Sequence, residues 1–170
     1  MILGFLLFYV GAVLFLNGLW LMGRIQDREI VVINVVSGLV AGAVVIQGAF
    51  GAAADAASIR AAALTLLFAA TYFWVAYNRF AGVDGRGLGW FSLFVAVSTV
   101  PVIVSGFSAA ATGRDFWLAG NWLVWGILWF MYFLLLALGK PILKQTAWVT
   151  LLSGIFNGWL PGWLLLDGMM

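Results

Sequence analysis

No cysteine and no histidine occur anywhere in the 170 residues. Without cysteine there is neither a disulfide framework nor a thiolate nucleophile. The lack of histidine removes the commonest general base and the commonest metal ligand. Charge is equally scarce: 8% of residues are charged, against 65% hydrophobic, and the mean hydropathy is +1.13. A soluble domain carries roughly 25% charged residues, so this chain cannot solvate a water-facing surface and lipid must cover most of it. The net charge of +2, with no basic run, argues against a nucleic-acid partner. Length allows a single domain, residues 1–170.

The few charges fall in clusters, and the gaps between them count the spans. Arg24, Asp27, Arg28 and Glu29 form the first cluster, Asp55 and Arg60 the second, Arg79, Asp84 and Arg86 the third. Arg114 with Asp115, Lys140 with Lys144, and Asp167 complete the set. Between them lie charge-free stretches at about 1–23, 30–54, 61–78, 87–113, 116–139 and 145–166. Each has the roughly 17–25 residues a helix needs to cross the hydrocarbon core. Barrel strands would alternate polar and apolar residues, and these stretches do not. The expected fold is an all-α integral membrane protein, a six-helix transmembrane bundle. The first stretch has no basic n-region and no small-x-small cleavage site before Arg24, so it reads as a permanent helix and not a cleaved signal.

Lys and Arg set the orientation. The loops after helices one, three and five hold Arg24, Arg28, Arg79, Arg86, Lys140 and Lys144, whereas the two opposite loops hold only Arg60 and Arg114. The first group is therefore expected on the cytoplasmic side, with both termini outside. No Asp, Glu, Lys or Arg lies in the central part of any stretch. Such residues mark ion pathways and proton relays. Their absence points away from pumps and proton-coupled carriers, and leaves a neutral substrate or none. An integral-membrane enzyme is disfavoured for the same lack of acid–base and metal-binding groups, and no cofactor is expected.

Glycines fall at packing intervals: Gly4, Gly11 and Gly18; Gly38 and Gly42; Gly154, Gly158 and Gly162. These seams suit close helix approach, within one chain or between chains. Trp122, Trp125 and Trp129 share one face of helix five, and Phe73 and Tyr77 one face of helix three. Trp90, Trp117 and Trp148 fit an interfacial belt at span ends, but Trp125 and Trp129 lie mid-span. They form either a buried aromatic core or a slot with flat walls through which a planar amide could pass. Polar groups are at hand: Asn17 on helix one, Thr71, Tyr72 and Asn78 on helix three, and Ser153 and Asn157 on one face of helix six. Ser98, Thr99 and Ser105 flank Pro101 on helix four.

Five segments, LLFYVGAVLFLNGLWLMG (6–23), TYFWVAYN (71–78), GLGWFSLFVAVSTVP (87–101), WLVWGILWF (122–130) and GWLPGWLLL (158–166), together resemble the AmiS/UreI family of urea and short-chain amide channels. The resemblance runs over nearly the whole chain in the same order. It implies a multi-pass protein of the bacterial inner membrane, assembled as a ring-shaped homo-hexamer around membrane lipid, with a passive pore in each protomer for urea or short-chain amides. By the same resemblance, Trp125 and Trp129 match pore-lining tryptophans; Trp122 and Tyr77, on the same faces as these and Phe73, are also expected to line the pore. Phe73 and Tyr72 match an aromatic constriction. Val10, Val13 and Leu14 would complete an apolar collar, with Asn17 at a polar position and Ser153 and Asn157 on the helix-six face. Ser153 stands where the family pattern has a carboxylate, and the histidine-bearing outer loops that gate the gastric branch in acid have no counterpart here. The alternative is a pore-less membrane assembly partner of a cytoplasmic amidase or urease, docked on the basic inner loops.

Overall fold

A computed structural model describes all residues, 1–170. Six helices are long and apolar enough to cross a membrane: α1 (Ile2–Leu21), α2 (Ile30–Phe50), α3 (Ala56–Ala81), α4 (Arg86–Ala109), α5 (Gly113–Ala137) and α6 (Leu143–Leu166). Their number agrees with the count from charge gaps. Their ends do not always fall at the charges. The gap reading starts helix three at 61, but Asp55 and Ser58 form a reciprocal capping box that starts α3 at Ala56. Arg60 and Arg79 are thus inside α3, because a long side chain can lie along the helix and reach the interface with its charged end. Thr112 and Asp115 cap α5 in the same way.

Each helix packs on the ones before and after it in sequence, and α6 closes back on α1. The result is a ring in which neighbours in sequence are neighbours in space. The α1–α6 closure is built on glycine. A side chain at Gly11 would strike the Trp159 backbone, one at Gly158 the Gly11 backbone, and one at Gly154 or Gly162 the backbone of Phe15 or Phe8. Gly4 faces Leu165 and Gly18 faces Leu151, so the two helices run antiparallel along a continuous seam. The two glycine-rich helices are therefore partners within one chain. Gly38 of α2 accommodates the Phe73 ring, whereas Gly42 has no heavy atom within 4 Å of where a Cβ would lie.

Polarity runs inside out compared with a soluble protein. Outward positions carry Val32, Val36, Leu39 and Ile46 on α2, and Phe94, Val97, Val100 and Val104 on α4, all exposed. Asn17, Asn34, Ser37, Asn78, Thr99, Asn121, Thr146 and Thr150 are buried among the helices. Lipid offers a polar side chain no hydrogen bond, so these groups turn inward, and all but Asn78 bond one another, another side chain or the backbone.

Two helices depart from α geometry. A π-turn spans Phe133–Ala137 at the end of α5, and another spans Gly154–Trp159 in α6, just before Pro161. Proline has no N–H to return to the preceding turn. The carbonyls of Phe156 and Asn157 accept instead from Trp117 Nε1 at 3.1 Å and Asn121 Nδ2 at 3.2 Å. Asn157 Nδ2 donates back to Asn121 Oδ1 at 2.7 Å, stitching α5 to α6.

Gly158→Ala is expected to destabilise the protein by about 1–3 kcal/mol, the usual cost of overpacking, because its methyl group would meet the Gly11 backbone. Gly42→Ala should be neutral within the protomer. Thermal unfolding of the two variants in detergent separates these outcomes.

Candidate functional site

The ring of helices encloses three cavities in a column. At the end where α3 begins lies a vestibule of about 380 Å³, with Arg60, Val10, Asn121 and Trp122 in its wall. In the middle is a cavity of about 40 Å³ walled by Leu14, Asn17, Tyr72, Trp125, Leu128 and Trp129, among others. Towards the end where α3 finishes is a third, also about 40 Å³, reaching Trp20, Asn78 and Arg79. A water needs roughly 10–15 Å³ measured in this way, so each small cavity has room for a few waters or part of one small planar solute.

The cavities share walls. Phe68 and Trp125 line both the vestibule and the central cavity. Asn17, Val75, Leu88 and Tyr132 line both the central and the third cavity. Side chains common to neighbouring cavities thus mark out a path between the two ends of the protomer. Its two necks are an aromatic one at Phe68–Trp125 and a mixed one around Asn17.

Phe68 is the hub of the aromatic neck. Its ring meets Trp122, Trp125 and Trp129 edge-on, with centroids 5.9, 5.0 and 4.7 Å away. Such T-shaped contacts satisfy the ring quadrupoles and hold the slot walls in fixed orientations. Trp129 Nε1 donates to Thr71 Oγ1 at 3.3 Å, and Thr71 in turn donates to the Leu67 carbonyl. Tyr132 Oη lies 3.0 Å from Thr150 Oγ1, whose own proton goes to the Thr146 carbonyl, so the tyrosine is the donor.

Two polar atoms of the central wall have no partner: Tyr72 Oη and Trp125 Nε1 are buried and unbonded. An unpaired buried donor costs about 1–3 kcal/mol. Both belong to residues that line the central cavity.

At the far end, Trp20 Nε1 donates to Asp27 Oδ1 at 2.7 Å, and Arg79 lies over the Trp20 ring with its Nη1 3.6 Å from Asp27 Oδ2. This exposed cluster joins the α1–α2 loop to the end of α3. A solvated ion pair of this kind contributes at most about 1 kcal/mol.

Of the residues expected from sequence, Leu14, Asn17, Tyr72, Trp125 and Trp129 come together at the central cavity, and Val10 and Trp122 line the vestibule. Val13 is buried in the same apolar cluster. Phe73 and Tyr77 are not brought to the column. Phe73 is 41% exposed and packs on Gly38 of α2, while Tyr77 is 60% exposed. They do share a face, but one residue turns a helix by 100°, and the inward face is Phe68, Tyr72 and Val75. The aromatic role expected of Phe73 thus falls geometrically to Phe68, four residues before Tyr72, and that spacing was available in the sequence. Ser153 is buried with its hydroxyl unbonded but walls none of the three cavities. Asn157 reaches the column only through Asn121. Asn34 and Asn121, which the sequence reading missed, had no motif to flag them.

A ring of six membrane-spanning helices around an internal column, with no charged side chain at its centre, defines a multi-pass membrane protein of channel or transporter architecture. The chain belongs to the AmiS/UreI family: the model of AmiS/UreI family transporters matches residues 2–169. It is 42% identical over 166 residues to a Mycolicibacterium smegmatis protein whose name describes it as a transporter of amidate substrates, covering 95% of this chain and 75% of that one. It is 35% identical to the acid-activated urea channel of Helicobacter pylori, over 96% of both chains. The crystal structure of the H. pylori urea channel superimposes with a TM-score of 0.85 at 32% identity, covering 98% of each chain. The cryo-electron microscopy structure of that channel in its closed state gives 0.84.

Asn121→Leu should leave the Asn157 carbonyl without its donor inside α6 and destabilise the protein by about 1–3 kcal/mol. A lowered unfolding temperature in detergent, with Tyr77→Leu unchanged as the control, is the expected result.

Proposed function

We propose that this protein is a channel through which urea and short-chain aliphatic amides cross the bacterial inner membrane down their gradients, each protomer carrying its own path. The observation that carries this reading is the column of three cavities, walled at its centre by tryptophan, phenylalanine and tyrosine, two of whose polar atoms, Tyr72 Oη and Trp125 Nε1, have no partner. A small amide sheds most of its water at the Phe68–Trp125 neck. Contact with the ring faces offsets part of that loss, and Tyr72 Oη and Trp125 Nε1 take its carbonyl oxygen. Ions lose far more on leaving water, and the central wall offers them no counter-charge. The family and its named relatives support the substrate class.

The orientation follows from the loop charges: the wide Arg60 vestibule and both termini face outward, and the Arg79 end faces the cytoplasm. The lipid-facing aliphatic surface and the open Gly42 suit assembly into a ring of six around lipid. A pore-less assembly role beside an amidase or urease leaves the column without a use and is not favoured.

No histidine is present to respond to mild acid. In the outer loop, Asp55 is held below its ordinary pKa by the Ser58 backbone N–H and then the Ser58 hydroxyl. In the inner loop, Asp84 is lowered by the Arg86 backbone N–H and then its side chain. A depressed carboxylate stays ionised until the pH falls below the usual carboxylate range, so neither switches between neutral and mildly acidic conditions.

The test is stopped-flow light scattering on proteoliposomes with urea, acetamide and glycerol. Urea and acetamide should equilibrate several-fold faster than in empty vesicles, without saturation and at the same rate in neutral and mildly acidic buffer. Rates equal to empty vesicles, with folded protein confirmed, would overturn the proposal. Phe68→Ala should open the aromatic neck and raise glycerol flux several-fold, whereas Tyr77→Ala should leave all three solutes unchanged.

A further inference from the structure

At the neck between the central and third cavities the column meets a carboxamide that lines both. Asn17 lines both cavities and is 4% exposed. Its side chain is paired face to face with that of Asn34, which is fully buried on α2. Asn17 Nδ2 donates to Asn34 Oδ1 at 3.2 Å, and Asn34 Nδ2 donates to Asn17 Oδ1 at 2.7 Å. Asn34 Nδ2 also donates to the Ile30 carbonyl, one helical turn back, at 2.9 Å.

That third bond removes an ambiguity. A carboxamide has two N–H donors at one end and an acceptor oxygen at the other, and the two orientations have nearly the same shape. The Ile30 carbonyl can only accept, so it fixes the nitrogen of Asn34 on its own side. With both N–H groups of Asn34 committed, its oxygen must meet a donor, which fixes the nitrogen end of Asn17 in turn. Asn17, which lines the neck, keeps one N–H and one carbonyl lone pair uncommitted, at opposite ends of its carboxamide.

We infer that Asn34 is a positioning residue that locks the Asn17 carboxamide in one orientation, and that Asn17 so held makes this neck selective for solutes bearing a carboxamide or urea group over polyols of similar size. The inference rests on the channel reading above and assigns its specificity to a named pair. A urea or acetamide molecule is a rigid plane with a carbonyl acceptor and N–H donors, so it can accept from the free N–H of Asn17 or donate to its free lone pair, one at a time. A hydroxyl of glycerol rotates about its C–O bond and gains no preference from a fixed donor–acceptor pair. Were Asn34 absent, Asn17 could turn over, and its donor and acceptor would no longer be held in place.

The pair is tested by the ratio of urea to glycerol permeability in proteoliposomes, a readout that a purely structural role would not move selectively. Asn34→Leu keeps a branched side chain and removes every hydrogen bond. Asn34→Ser keeps a hydroxyl that can bond the Ile30 carbonyl, as Thr71 bonds Leu67, but cannot return the second amide. Both are expected to lower the ratio several-fold while still conducting, and neither should lower it further in an Asn17→Leu background. Asn34→Ser alone decides the matter if the leucine variant does not fold. An unchanged ratio, or equal scaling of urea and glycerol, overturns the role of the pair and leaves the channel reading standing. Wild-type protein that conducts urea no faster than empty vesicles overturns both.

Discussion

A bilayer interior supplies no hydrogen bonds, and nearly every feature of this protein follows from having to supply them from within. The outward surface can be Val, Leu, Ile and Phe because lipid asks nothing of it. The polar residues collect between helices, where most find a neighbour's side chain or a carbonyl one turn back: Ser92 on Leu88, Thr71 on Leu67, Thr146 on Ile142, Thr150 on Thr146. Where proline interrupts α6, two side chains of α5 take the orphaned carbonyls. Against this near-complete satisfaction, the unbonded Tyr72 hydroxyl and Trp125 indole N–H on one cavity wall stand out as places left for a guest.

Closing the ring is the second requirement, and it depends on the absence of side chains. Along α1 and α6 the glycines let two backbones approach so nearly that a single methyl group would collide. This approach brings the last helix back to the first and encloses the column. A looser seam would open the column to lipid along its length, and a solute would no longer be confined to the aromatic and amide necks. Function therefore depends on residues that touch no solute.

The aromatic and amide necks divide the work of selection. Phe68 and Trp125 present ring faces and edges, which accept flat molecules of modest polarity but read no hydrogen-bond pattern. Asn17 presents a donor and an acceptor in fixed places and reads little else. In series, the two necks discriminate by shape and by functional group.

Much of this was legible in the sequence. Charge is so scarce that its gaps had to be spans, and helical spacing put Trp122, Trp125 and Trp129 on one face without reference to any neighbour. The resemblance carried the family and drew attention to Asn17. Helix ends were less legible, because Arg60 and Arg79 lie within α3 while their charges reach the interface. Sequence periodicity also said that Phe73 and Tyr77 share a face, but not which way that face points, since in lipid an outward face is as apolar as a packed one and aromatic residues suit both. Composition and local spacing thus determined the solvent, the number of helices and the shared faces, because those depend on each helix alone. Only the tertiary structure decided that Phe68 faces the column, that Asn34 holds Asn17, and that Asn121 completes α6, because each of those depends on which helices meet and at what rotation.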